Sequence, residues 1–380
     1  MATNAVLAGS PHGYDPDQMT DIQIKTAKYR LLLGISNVGF WVIAAVLGLV
    51  WRAPLGAPAL ALSDLFTGLI AGLAIQAIFD LAGGIVFMPA LDAASGGGLR
   101  LWLRGLFGHS AMLCAVGVLS YWSFRWSNGV CLSVVLSSLG LFLWRQQILG
   151  LVSGGTRVRP TEMAGTAAWR ADSRDPSFTG GTVGLGRYAK ILLPESWMLK
   201  LTGAQMHTLI QRRLWEIKNN LPGRSLLFVL LWNLAGCRAG SVFLELPGRL
   251  PESALVLQFC WMTLWGFFGL LLLPTLSRSA VFAADCAAVA SGCDAGGWIQ
   301  QFPNLTGEDG NARTVLQRVF YPIPSAQERL RALGKAPALP VIGNVARTNL
   351  FLSLATLTLL GRCVHCNVGR PELWVFPPSD

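Results

Sequence analysis

Blocks of mainly hydrophobic residues, separated by polar segments, recur along the chain. A helix needs about 20 mainly apolar residues to cross the ~30 Å hydrocarbon layer of a bilayer, and several blocks reach or approach that length. We predict six membrane-spanning helices: Leu31–Val50, Leu65–Phe79, Gly105–Phe124, Trp126–Trp144, Ser225–Leu244 and Ser253–Leu276. The pattern therefore predicts a mainly α-helical, polytopic membrane protein with four spans, a polar region and a hairpin of two spans.

Two apolar stretches are shorter than a membrane crossing requires. Leu65–Phe79 can span only if its helix extends past Asp64 or Asp80, and the glycine and proline residues in 81–91 predict a break or a re-entrant bend there. Thr348–Gly361 is too short to cross unaided. We expect it to pack as a buried or interfacial helix.

The composition agrees with this class and excludes others. Hydrophobic residues make up 52% of the 380 positions and charged residues only 13%, whereas soluble domains carry about 25% charged residues. A soluble enzyme, a disordered chain and a secreted disulfide scaffold are all excluded by this balance. The bilayer is therefore the first predicted partner of the chain.

Basic residues set the predicted orientation. Lys25, Lys28 and Arg30 precede the first span, and Arg100 and Arg104 precede the third. Because cytoplasmic loops carry the excess of Lys and Arg, the amino terminus and both polar regions are predicted to be cytoplasmic. The formal net charge of +10 then reflects topology and attraction to anionic lipid. No basic patch interleaved with aromatic residues predicts binding of nucleic acid.

This topology divides the chain into six segments. We predict a polar amino-terminal segment (1–29), a four-span region (30–148), the first part of a cytoplasmic domain (149–224), a transmembrane hairpin (225–276), the second part of that domain (277–335) and a carboxy-terminal segment with a short apolar helix and a Cys-x-x-Cys pair (336–380).

The chain holds eight cysteines. Cys114, Cys131, Cys237 and Cys260 lie within or beside predicted spans, where a thiol behaves as a small apolar group. Cys363 and Cys366 have the spacing of half a zinc or redox site. A structural zinc site needs four ligands and no second pair with this spacing follows, so inert reduced thiols are the favoured interpretation and metal binding is the weaker alternative.

Three segments of the polar regions carry further information. In Leu201–Asn219 apolar residues recur at helical spacing, and Thr202 is the predicted amino-terminal cap. Ser277–Asp285 directly follows the last clean span and reads Ser-Arg-Ser-Ala-Val-Phe-Ala-Ala-Asp. Tyr321–Leu333 begins Tyr-Pro-Ile-Pro-Ser-Ala-Gln-Glu-Arg-Leu.

Taken in order, these segments resemble the HtpX-type and CAAX-prenyl-protease-type membrane zinc metallopeptidases, which are gluzincins. In that family the first segment is a zinc helix with His-Glu-x-x-His-Ile-Lys-Asn, the second reads Ser-Arg-x-x-Glu-Phe-x-Ala-Asp, and the third contains His-Pro-Pro-x-x-x-Glu-Arg. The resemblance covers roughly residues 150–335. It implies a cytoplasmic, zincin-like α+β domain attached to the membrane spans.

The residues that would hold zinc in this family differ here. Alignment on Ile217–Asn219 places Arg212 at the first zinc histidine, Arg213 at the general-base glutamate and Glu216 at the second histidine. In the second segment Val281 stands at the third zinc ligand, a glutamate. The resemblance therefore identifies a site whose signature residues have all changed.

The chemistry of the replacements predicts loss of the metal. Two imidazoles at i and i+4 grip Zn²⁺ while the adjacent glutamate takes a proton from metal-bound water. A guanidinium stays protonated and offers no lone pair. We therefore predict a catalytically inactive relative without a cofactor that acts as a binding, scaffold or regulatory protein for other membrane proteins. The alternative, an active divergent zinc peptidase in membrane protein quality control, would need zinc on other ligands.

A transporter or channel-like protein is a further alternative. Asp64, Asp80, His109 and Arg238 are ionisable residues within or near predicted spans, and such residues are candidates for function. Three of the four lie near span ends, so we expect snorkelling to the membrane surface instead.

Two structural expectations follow from the resemblance. First, a charge network would stand where the metal was, with Arg212 paired to Glu216 on the same helix and to Asp285 across the site. Second, in the family a substrate peptide adds to the edge of a small sheet beside the zinc helix. The segment Lys190, Ile191, Leu192 and Leu193 lies where that edge strand is expected, and could bind an extended peptide without catalysis.

Overall fold

The computed structural model describes most of the chain. The described residues are 16–50, 61–86, 97–124, 129–153, 156–163, 165–173, 175, 177–244, 251–306, 311, 313–314, 318, 321, 323–335, 337 and 339–378. Several sequence expectations fall outside them. These are the first half of the amino-terminal segment, the end of the predicted break at 87–91, the start of the fourth predicted span at Trp126, and Pro322 of the third segment.

Long apolar helices form the body of the molecule. They are α1 (Pro16–Val50), α2 (Leu62–Leu81), α3 (Gly97–Ser123), α4 (Gly129–Leu143), α5 (Arg145–Val152), α8 (Leu221–Leu244) and α9 (Pro251–Ala290). Five described stretches are long and apolar enough to cross a membrane: Lys28–Val50, Leu62–Val86, Trp102–Ser123, Leu221–Phe243 and Leu255–Ala290. Large side chains such as Val50, Ile78 and Phe107 are exposed on their outer faces, as expected of helices that contact lipid.

The second span is longer than its clean apolar core. Helix α2 begins before Asp64, and its carboxyl end continues as a π-helical turn over Ala82–Val86. The extension in both directions supplies the length that Leu65–Phe79 lacks.

The fourth span differs from the straight helix over 126–144 that the sequence predicts. Helix α4 has 15 residues and meets α5 at a bend of 78°, so the pair counts as a sixth span at most. The Arg145 guanidinium turns inward at this bend and donates through Nε (2.8 Å) and Nη2 (2.6 Å) to the Val375 carbonyl. It lies over the rings of Phe351 and Phe376. A charge at the expected span end is therefore held inside the protein.

A small sheet follows the first group of helices. Its strands are β1 (Val158–Met163), β2 (Thr166–Ala171), β3 (Gly181–Val183) and β4 (Lys190–Pro194), in the order β1-β2-β4-β3. Strand β4 pairs in parallel with β2 and antiparallel with β3. Helices α6 (Glu195–Lys200), α7 (Gly203–Lys218) and α10 (Ala295–Thr306) pack beside it around Ile191, Trp197 and Trp298.

The predicted peptide-binding edge strand is therefore wrong. Residues Lys190–Leu193 form an internal strand whose two sides are both paired, since Ile191 lies opposite Ala168 of β2 and opposite Thr182 of β3. Three of its side chains, Ile191, Leu192 and Leu193, are fully buried. The local apolar pattern of this strand is that of a central strand, and the free edge on this side of the sheet belongs to β3.

The carboxy-terminal segment lies inside the molecule. Short helices at Val345–Leu352, Leu360–Cys363 and Pro371–Val375 consist almost entirely of buried residues, and the first of them packs against α4, α8 and α9. Trp102 of α3 donates to the Gly369 carbonyl at 2.9 Å. The segment thus fills space between the long helices.

Snorkelling, which we expected of the ionisable residues in the spans, is wrong for two of them. Asp80 is fully buried, forms an ion pair with Arg362 and accepts a hydrogen bond of 3.0 Å from the Gly369 amide. His109 is also buried, with its Nδ1 3.3 Å from an Arg362 nitrogen. A charge can stay at depth here because the carboxy-terminal segment brings its partner to it.

Candidate functional site

Helix α7 carries the residues at the degenerate zinc positions. The predicted cap is confirmed. The Thr202 hydroxyl accepts a hydrogen bond from the Gln205 main-chain amide at 3.3 Å, and the Gln205 side-chain oxygen accepts one from the Thr202 main-chain amide at 3.0 Å. Leu209 and Ile210 are buried against the sheet and α10. These apolar contacts fix the rotation of the helix and direct Arg212, Arg213 and Glu216, also buried, into the protein.

Asp285 of α9 is the centre of a buried ion cluster. Its Oδ1 lies 2.8 Å from Nε of Arg212. Arg329 donates to both oxygens of the same carboxylate, through Nη2 at 2.7 Å and Nε at 2.8 Å. All three side chains are at most 2% exposed. The expected approach of Arg212 to Asp285 is present, and the sequence argument missed the second arginine.

Aromatic rings cover this cluster. The Arg212 guanidinium lies 5.9 Å from the Trp298 ring centre, and that of Arg329 lies 5.3 Å from the ring centre of Phe302. Trp298 and Phe302 belong to α10 and contact each other edge to face. A planar cation can rest against an aromatic face with little hydration, so these rings make the burial of two arginines beside one carboxylate tolerable.

Glu216 has a different partner from the one expected. We predicted a pair with Arg212, but Arg213 reaches both Glu216 oxygens, at 3.0 and 3.2 Å. Arg213 also donates to the Thr179 carbonyl at 3.5 Å. Residues at i,i+3 are neighbours on a helix just as those at i,i+4 are, and Arg212 is turned towards Asp285. The arginine at the position of the family's base therefore holds the carboxylate at the position of its second histidine.

Val281, at the position of the third ligand, is buried and lines a small cavity with Tyr321 and His365. A second small cavity lies beside Arg213 and Glu216. Each has a volume of about 30 Å³, and Arg347 lines both. Cavities of this size hold a few water molecules each.

Two carbonyls directly before β3 accept hydrogen bonds from arginine side chains of the same chain. Arg347 donates to the carbonyl of Gly180, and Arg213 donates to that of Thr179. Gly181 lies so close to Arg347 that a Cβ there would be 2.8 Å from Nη1. Strand addition needs free main-chain groups at a sheet edge, and these arginines bond carbonyls at the start of this one.

The third segment is anchored through Glu328. Its carboxylate forms a capping box with Ser325 and ion pairs with Arg278 at 3.0 Å and Arg318 at 2.9 Å. Burial opposes ionisation, but the Ser325 amide and the Arg278 guanidinium together hold the pKa of Glu328 below its ordinary value. The residues that keep the family's spacing, Arg278, Glu328 and Arg329, thus tie this segment to α9.

The donor set does not fit zinc. The positions of the two histidines, the base and the third ligand hold two guanidinium groups, one carboxylate and an isopropyl group, and the carboxylate is already bonded to Arg213. Among the described residues no three His, Cys, Asp or Glu side chains form a group that could hold a metal ion.

The weaker metal alternative, at Cys363 and Cys366, gains no support. Both cysteines and the intervening His365 are described, and the three do not form a group that could bind a metal. The Cys363 thiol is buried and donates to Gln76 Oε1, whereas that of Cys366 donates to Asn367. His207 is exposed on α7, beside Gln211 and Cys293.

Comparison with known proteins adds information on the fold. No protein-family model matches the sequence, and no curated protein matches it in sequence. The structure is similar to the crystal structure of Ste24p from S. mikatae, with a TM-score of 0.55 and 13% identity over 83% of this chain and 86% of that chain. The chain therefore has a fold similar to that of Ste24p over most of its length.

We predict that Asp285→Ala leaves two buried arginines without their shared carboxylate. The free energy of unfolding should fall by at least ~3–5 kcal/mol, which is the cost of removing one partner of a buried ion pair. The measurement is the melting temperature of the detergent-purified protein, together with its accumulation in the membrane. Asp172→Ala is the matched control, because that carboxylate is exposed and such substitutions change stability by about 0.5 kcal/mol or less. Equal melting of both variants would contradict a structural role for Asp285.

Proposed function

We propose that this chain is a catalytically inactive relative of the membrane metallopeptidases that serves as a binding, scaffold or regulatory protein for other membrane proteins. The observation that carries the proposal is the Asp285 carboxylate shared by Arg212 and Arg329. It supports a site in which ion pairs between side chains connect the helices that zinc connects in an active enzyme. The sheet-bearing region consists of strands β1–β4 and the helices α6, α7 and α10 that pack beside them. We propose that it faces the cytoplasm, on the basis of the basic residues at the span ends.

Three features support inactivity over a divergent active enzyme. The position of the general base holds Arg213, which remains protonated and cannot accept a proton from water. The position of the third ligand holds a buried valine. Two carbonyls directly before β3, the outer strand on that side of the sheet, accept hydrogen bonds from Arg213 and Arg347.

A binding role is supported by surfaces away from the former site. Leu199 of α6 is 88% exposed and Tyr188 is 68% exposed, and both lie in the sheet-bearing region, outside the candidate spans. These two residues are the positions at which we propose contact with a partner. We place partner contact here rather than at the strand Lys190–Leu193.

Metal analysis combined with a peptidase assay tests whether the site binds zinc and cleaves peptides. The purified full-length protein, supplied with zinc, is expected to retain far less than one ion per chain after removal of free metal and to cleave no peptide. The positive control carries Arg212→His, Arg213→Glu, Glu216→His and Val281→Glu, which restore the family's donors. Stoichiometric zinc in the unaltered chain that is lost on Glu216→Ala, with cleavage that chelators abolish, would establish the active alternative.

Site-specific photo-crosslinking in native membranes tests the binding role. A photoreactive residue in place of Leu199 is expected to give adducts of defined mass with another membrane protein. The same residue in place of the exposed Asp172 serves as the control and is expected to give none. Adducts with lipid alone, or equal adducts at both positions, would contradict partner contact at Leu199.

A further inference from the structure

A cavity of about 350 Å³ lies between α1, α9 and the carboxy-terminal segment. Each of the two cavities beside the former zinc positions has a volume of only about 30 Å³. The larger cavity is in the range of ~300–1,000 Å³ that is usual for sites of small molecules. None of the degenerate zinc positions lines it.

The walls of this cavity are almost entirely apolar. Its large apolar side chains come from α1, α9 and the carboxy-terminal segment: Ile35, Val38, Phe267, Leu270, Leu271 and Leu350. Gly39 of α1 also lines it, and a Cβ at this position would meet no atom within 4 Å. Water does not fill a cavity that offers it so few polar partners. The occupant that fits these walls is therefore a hydrocarbon chain.

The cavity opens towards the bilayer. Ile35 and Leu271 lie in two candidate spans, Lys28–Val50 and Leu255–Ala290, and both side chains are exposed on the surface of the helical body. Since both residues also line the cavity, its mouth lies between α1 and α9. A lipid chain can enter sideways through this mouth without crossing water.

The polar groups of the cavity include His365 and Cys366, beside the first turns of the span in α1. Gly34 packs against the main chain of His365 so closely that a Cβ would be 2.5 Å from its nitrogen. Arg30 lies one helical turn before Gly34, is partly buried and donates to the Gly83 carbonyl at 3.2 Å. A basic, polar end next to apolar walls has the polarity of an anionic amphiphile.

Two exposed lysines extend this basic end along α1. Lys28 precedes Ile35 by seven residues, which places it on the same side of the helix and ~10 Å along its axis. Lys25 lies a further turn away, and residues 25–30 contain no acid. Acyl chains of different phospholipids are equally apolar, so the headgroup decides which lipid is preferred. Basic residues at the membrane surface attract anionic headgroups.

We propose that this cavity binds one acyl chain of an anionic glycerophospholipid. The lipid belongs to the leaflet at the start of α1, and its phosphate lies near Lys25, Lys28 and Arg30. The site is separate from the degenerate zinc positions, and it does not depend on the proposed function.

Native mass spectrometry of the full-length protein in a mild detergent tests the choice of headgroup. Phosphatidylglycerol and phosphatidylcholine with identical acyl chains are added in equal amounts. We expect one retained phosphatidylglycerol. Lys25→Gln and Lys28→Gln should each weaken its binding about fivefold, the effect of one basic residue near a lipid surface. Lys200→Gln and Lys335→Gln are the controls and should have no effect, because these lysines are exposed outside the candidate spans.

A phosphatidylglycerol with a photoreactive diazirine in one acyl chain tests the cavity itself. Adducts are expected in 34–39 and 267–271, mapped by mass spectrometry after proteolysis. Gly39→Leu should abolish them, because the leucine side chain takes the place of the lipid chain. Gly68→Leu is the matched control, since Gly68 is exposed on α2 and a Cβ there also meets no atom within 4 Å.

Three results would overturn the site: equal retention of the two lipids, adducts spread evenly over all spans, or full labelling of the Gly39→Leu variant. Labelling of the unaltered protein keeps the proposal open to refutation even if that variant fails to fold.

Discussion

One carboxylate joins the parts of the sheet-bearing region. Asp285 extends from α9 and receives Arg212 from α7 and Arg329 from the short helix that begins after Ser325. Two guanidinium groups around this one carboxylate connect α7, α9 and the short helix. An ion cluster of this kind gives little net stability, yet loss of its shared member leaves uncompensated charge. Asp285 therefore connects all three helices, and the Arg278–Glu328 ion pair is a second link between α9 and the short helix.

The same use of buried charge recurs in the helical body. Arg362 of the carboxy-terminal segment meets Asp80 of α2, and Arg370 meets Asp175 near the sheet. Arg145 and Arg347 bond carbonyls at Val375 and Gly180. The carboxy-terminal segment thus bonds to the spans and to the sheet edge.

The sequence predicted what depends on local pattern. Hydropathy located the long helices, and the Thr202 cap was readable because capping involves residues three apart. Contacts between residues far apart in the chain could not be predicted from the sequence. Glu328 and Arg329 fitted a family motif, but nothing local showed that Arg329 reaches Asp285. Asp80 and Arg362 are 282 positions apart, so Asp80 was assigned to the membrane surface. Strand β4 was placed at an edge because pairing on both sides is a property of the sheet and not of its own residues.

An experimental density map of the full-length protein, prepared with zinc in the buffer, tests the central claim most directly. The account predicts continuous side-chain density from Arg212 and from Arg329 to the Asp285 carboxylate, Arg213 against Glu216, and no ion between α7 and residue 281. An ion coordinated by Glu216, with the arginines swung away from Asp285, would contradict it.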